Sequence, residues 1–122
     1  MTRSFSTTEA LAFRLRSQRL GPDDGAPSVR EAVATVGGVQ AQEKPSAALS
    51  IRPRTSDAVV ADIERALYED RSVVRTWCVR GTLHLVAAED LRRFLSVFGP
   101  TFASRGPEPK QLAEIGFDET GI

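Results

Sequence analysis

The sequence predicts a mostly helical α+β fold in which a single β-hairpin interrupts a series of helices. Three observations predict it. Two Ser-x-x-Glu capping boxes open stretches with apolar residues at helical spacing. At Ser72 the pattern changes to two β-branched and aromatic runs separated by a glycine-containing turn. A last helical stripe then runs into Gly99-Pro100.

The first helix is expected over 7–20. Ser6 and Glu9 have capping-box spacing, Leu11, Phe13, Leu15 and Leu20 supply an apolar side, and Arg14, Arg16 and Arg19 project away from it. Residues 21–27 are dense in glycine, proline and aspartate and read as a loop. Ser28 and Glu31 cap a second helix whose Val29, Ala32, Val33 and Val36 share a face, and Gly37-Gly38 stops it. Pro45 suits the first turn of a short third helix to Ile51, which Pro53 ends. Ser56-Asp57 is a natural N-cap for a fourth helix to about Tyr68, with Val59, Val60, Ile63 and Leu67 as its stripe. Residues 73–78 and 82–86 read as a hairpin turning through Val79-Arg80-Gly81. A fifth helix is expected over 88–98, with Leu91, Phe94, Leu95 and Phe98 inward, terminated by Gly99-Pro100. Residues 110–115 have room for one or two further helical turns.

Helices, then a two-stranded hairpin, then another helix form the pattern of a winged helix-turn-helix domain. Its expected span is 1–100, with 101–122 as a connection and the start of a following, truncated element.

A chain of 122 residues suffices for one domain with its own core. No run approaches the roughly 18 apolar residues of a membrane span, and no secretory h-region follows Met1, so the expected compartment is the cytoplasm. The single cysteine, Cys78, has no partner for an internal disulfide. One histidine and one cysteine cannot build the usual zinc cluster, so no metal is expected. Net charge is zero, but residues 1–55 hold eight Lys or Arg against five Asp or Glu, and residues 56–122 eight against eleven. Fourteen of the sixteen cations are arginine, whose planar fork suits phosphate, although solvated surface arginines explain the count equally well.

The segment Gly37-Gly38-Val39-Gln40-Ala41-Gln42 places two amides two residues apart after a glycine stop. Glutamine does not titrate, so such a pair orients a water, a sugar or a base edge but removes no proton by itself. If the segment is extended, both amides point the same way; a helix there would separate them. The plain alternative is that they cap the preceding helix or bond exposed backbone.

Leu15-Arg16-Ser17-Gln18-Arg19-Leu20, Gly38-Val39-Gln40-Ala41-Gln42 and the run from Val74 through Arg75-Thr76-Trp77-Cys78-Val79-Arg80-Gly81-Thr82-Leu83-His84-Leu85 to Val86 together resemble the N-terminal part of the winged-helix DNA glycosylases of the AlkZ and YcaQ type. Members of that family are built from tandem winged-helix domains and are about three times longer. The resemblance implies that Gln40 and Gln42 are the catalytic pair releasing alkylated purines, including the two ends of guanine interstrand crosslinks. Glutamine at 42, where the YcaQ branch has aspartate, aligns the chain with the AlkZ-like branch. It further implies double-stranded DNA as partner, no cofactor and no membrane. The sequence leaves the oligomeric state open.

Arg16 and Arg19, three apart on the first helix, and Arg75 and Arg80, flanking the hairpin, are the candidate phosphate contacts. Trp77 reads as a core anchor in preference to a base-stacking platform, Cys78 as a small buried hydrophobe, and His84 as a packed or edge residue. A non-catalytic winged-helix DNA-binding protein or regulator is the alternative function, and a fragment held together by partner contacts a third.

Overall fold

The computed structural model describes residues 2–104. Helices α1 (Thr7–Ser17) and α2 (Val29–Val36) precede a short strand β1 (Val39–Gln40). Helix α3 (Lys44–Ile51) and helix α4 (Val60–Glu64) follow, then strands β2 (Val73–Trp77) and β3 (Leu83–Ala87) and helix α5 (Leu91–Ala103). The strands form one antiparallel sheet in the order β1-β3-β2, with β3 central. This is the expected α+β arrangement, winged-helix-like. The addition is β1, too short to carry a sequence signature. The segment expected at 110–115 lies outside the described residues.

The core forms where α2, α3 and α4 cover one face of the sheet. Val29 and Val33 of α2, Ala47 and Ile51 of α3 and Ile63 of α4 pack with Val39, Ala41, Val73 and Leu85. Ile51 and Val33 are completely buried. On the hairpin side, Cys78 is buried as expected and lines a pocket with Arg80, Gly81, Phe98 and Phe102.

Several local expectations change. Helix α1 ends at Ser17, three residues early. Arg19 adopts φ 54° and the Leu20 N–H returns to Leu15 O at 2.8 Å, closing the helix with a left-handed cap usually given to glycine. The apolar side of α1 is not covered: Leu11, Phe13 and Leu15 stand exposed and no residue of the helix is buried. Ser56 does not cap α4. Its N–H donates to Ala26 O at 3.0 Å beside the parallel bridge between Ala26 and Thr55, which draws it from the helix. The helix starts three residues later, where the Asp62 carboxylate accepts from the Val59 N–H at 2.9 Å.

Helix α4 then widens into a π-helical turn, Arg65–Glu69, so that Ile63 and Ala66 are buried while Val59 and Val60 are exposed. Helix α5 passes through Gly99 and Pro100 to Ala103. Proline removes only one N–H from the ladder, and packing Phe98 and Phe102 beside the hairpin turn favours continuation.

Candidate active site

Gly37 takes φ 75° as the left-handed C-cap of α2, and Gly38 takes φ 119°. These two residues turn the chain off the helix and into β1, which joins the edge of the sheet. There Val39 pairs with Leu85 and Gln40 with His84. Burial alternates along residues 39–42: Val39 and Ala41 face the core, Gln40 and Gln42 face out. Both amides therefore stand on one exposed side of an extended segment, as their spacing requires.

The two glutamines differ in their engagement. The Gln40 side chain makes no hydrogen bond among the described residues. Gln42 Oε1 accepts from the Leu83 N–H at 2.5 Å. Because a backbone N–H faces oxygen and not the amide nitrogen, this bond sets the amide orientation and leaves the Gln42 Nε2 with donors to offer. Helix α3 begins directly afterwards, with Glu43 as its N-cap residue.

Arg75 reaches this segment from β2. Its Nε donates to Ala41 O and its Nη2 to Gln42 O, each at 2.9 Å. A guanidinium spread over two consecutive carbonyls is a backbone clamp, so Arg75, expected at the phosphate surface, is committed inward. The sheet parity contained the signal: Arg75 shares its side with Val73, a core residue, and pairs with buried Leu85. Lys44, two residues beyond Gln42, likewise donates within the protein, to the Tyr68 hydroxyl at 2.7 Å.

The other arginines separate. Arg19 does not share a helix face with Arg16, since α1 has already ended. Its guanidinium donates to Glu31 Oε1 at 3.2 Å, Thr35 Oγ1 at 3.2 Å and Asp24 O at 3.3 Å, tying the end of α1 to α2. Glu31 is thereby drawn away from the second capping box, of which only the Ser28 hydroxyl's bond to the Glu31 N–H remains. Arg16 on α1 and Arg80 at the hairpin tip are exposed, and their side chains make no hydrogen bond or ion pair among the described residues.

Trp77 is a correction: at 53% exposure it is no core anchor. It lies opposite Leu83 at the open end of the sheet, beyond the helices that cover Val73. His84, on the central strand, has its Nδ1 3.0 Å from Thr82 O and shares a face with Gln40. Between the third helix and the hairpin, exposed Asp57, Glu64, Glu69 and Asp70 are interspersed with exposed Arg52, Arg65 and Arg71. Among the described residues no helix is long and apolar enough to cross a membrane.

Residues 33–120 match the family model of AlkZ-like DNA glycosylases. A curated relative, the interstrand DNA cross-link repair glycosylase of Streptomyces sahachiroi, is 30% identical over 125 residues, covering 96% of this chain and 33% of the relative. The solved structure of Streptomyces sahachiroi DNA glycosylase AlkZ superimposes with a TM-score of 0.68 at 29% identity, covering 89% of this chain and 28% of that one. The chain thus spans about a third of the length of the curated relative it matches. A family match over most of the chain, together with similarity of both sequence and fold, establishes that the chain belongs to the AlkZ-like DNA glycosylase family.

Proposed function

We propose that the complete protein hydrolyses the N-glycosidic bond of N7-alkylated purines in double-stranded DNA, including the linked guanines of interstrand crosslinks, with Gln40 and Gln42 as its catalytic pair. The observation that carries this reading is the in-out-in-out course of residues 39–42, which presents two amides together on an exposed edge. The cross-link repair named for the Streptomyces relative supports the lesion class.

The chemistry fits groups that do not titrate. A purine alkylated at N7 is already cationic. When its C1′–N9 bond breaks, the electron pair moves into the ring and neutralises that charge, so no acid is needed at the leaving group. Water then adds to C1′, which retains the hydroxyl, and the second water proton passes to solvent. Gln40, with its carbonyl oxygen unengaged, accepts a hydrogen bond from that water and aims its oxygen. Gln42 donates from Nε2 to the water oxygen or to the sugar. Positioning and oriented dipoles supply the rate. An amide forgoes the roughly 10²–10⁴-fold contribution of a general base, so unmodified purines stay in place.

Arg16 and Arg80 retain free guanidinium forks for phosphate, and exposed Trp77 offers a stacking face beside the hairpin.

The test is base release from a duplex containing N7-methylguanine by the complete protein and by its Gln40→Ala, Gln42→Ala double variant. Loss of release by the variant, with duplex affinity kept, is expected. Equal release by both proteins would sink the assignment.

A further inference from the structure

We infer that Arg75 is a positioning residue for this glutamine pair, rewiring the sheet edge so that Gln42 serves as a hydrogen-bond donor. The inference rests on the reading of Gln40 and Gln42 as the reacting pair. A regular antiparallel ladder continuing from Gln40 and His84 would bring Ala41 opposite Leu83, where the two residues exchange a pair of backbone bonds. Half of that exchange is present: the Ala41 N–H donates to Leu83 O at 2.7 Å. The other half is divided. Ala41 O is held by Arg75 Nε, and the Leu83 N–H so released donates to Gln42 Oε1.

The Arg75 fork holds Gln42 O as well, so the backbone on both sides of the Gln42 amide plane is fixed from one side chain. Lysine offers one ammonium point in place of two divergent donors and does not reproduce the clamp. The consequence for the pair is asymmetry. Gln42 has its oxygen satisfied and its Nε2 donors left over, whereas Gln40 keeps an unengaged carbonyl. One amide accepts from the water and the other donates, and neither duplicates the other.

Two measurements test this together. NMR coupling through the hydrogen bond identifies the acceptor of the Leu83 N–H, and single-turnover base release reports the chemistry. Arg75→Lys is expected to move the Leu83 N–H coupling from the Gln42 side-chain carbonyl to the Ala41 carbonyl that the clamp no longer holds, and to lower the turnover rate on the order of 10- to 100-fold with KM within about twofold. In a Gln42→Ala background the same substitution should cost almost nothing further, a coupling that general destabilisation would not produce.

A Leu83 N–H still bonded to Gln42 in Arg75→Lys overturns the inference, as does a switch to Ala41 with an unchanged turnover rate. If the Gln40→Ala, Gln42→Ala protein releases base normally, the catalytic assignment fails, whereas the acceptor of the Leu83 N–H still decides whether Arg75 sets the Gln42 amide.

Discussion

Arg80 sits at the tip of the hairpin with φ 55°, followed by Gly81 at φ 74°. A side chain in that left-handed region costs roughly 1 kcal/mol, which glycine would avoid. Arg80→Gly should therefore leave the thermal midpoint unchanged or slightly higher. If Arg80 meets phosphate, the same variant should weaken duplex binding and reduce the salt-dependence slope by about 0.9. A binding titration at several salt concentrations reads this, and an unaltered slope removes Arg80 from the DNA surface. At this scale the glutamines were legible in the sequence, since their identity and spacing limit what they can do. The role of Arg75 was not, because its acceptors are carbonyls more than thirty residues away in the chain. Trp77 was misplaced for a related reason: β-strand composition does not tell where the covering helices stop.

At the scale of elements, the glycine pair and the first capping box make opposite demands. A methyl group at Gly37 would have no described atom within 4 Å, so Gly37→Ala should cost only the left-handed penalty, about 1–2 kcal/mol in unfolding experiments. At Gly38 the φ of 119° lies farther from what an alanine adopts and the Cβ would meet Leu85 O at 3.4 Å, so Gly38→Ala should cost more and disturb β1 pairing. Equal costs at both positions would contradict this ordering.

In the first capping box the Ser6 N–H donates to Glu9 Oε2 at 2.8 Å, and with a smaller contribution from the Ser6 hydroxyl holds the Glu9 carboxyl below its ordinary 4.5. A lowered carboxyl favours the folded helix end above that ordinary value, and the advantage disappears as pH falls through the folded value. The protection of the first-turn amides of α1, measured against their intrinsic exchange rates, should fall over that acidic range, and Glu9→Gln should remove the dependence. Helix starts with Ser-x-x-Glu spacing were readable because they are local. The start of α4 was not, since Ser56 is captured by Ala26, thirty residues earlier.

Across the whole molecule, stability resides in the layer between the sheet and α2, α3 and α4, while α1 contributes no buried residue. Ile51→Ala, at a site with no exposure, should cost about 2–5 kcal/mol. The pair Leu11→Ala, Leu15→Ala on α1 should stay within about 0.5 kcal/mol of the parent in this chain. A large loss from the α1 pair would mean that the helix packs where the structure leaves it exposed. Base release by the complete protein should also be flat from pH 5.5 to about 8.5, because neither amide of the proposed pair titrates. An inflection within that range would overturn a mechanism that rests on the two amides alone.

The sequence by itself determined the helix and hairpin order, the glycine stop after α2, and the pairing of two non-titrating amides at a spacing that only an extended segment can use. Those properties are written in periodicity and backbone preference within a few residues. The tertiary structure alone decided that residues 39–40 join the sheet, that Arg75 and Arg19 are spent on internal partners while Arg16 and Arg80 have none among the described residues, and that the Gln42 oxygen is engaged by backbone while the Gln40 amide is not. Each of those outcomes depends on which distant backbone group reaches a side chain first, and strand register, fixed by burial of Val39 and Leu85 together, settles that competition.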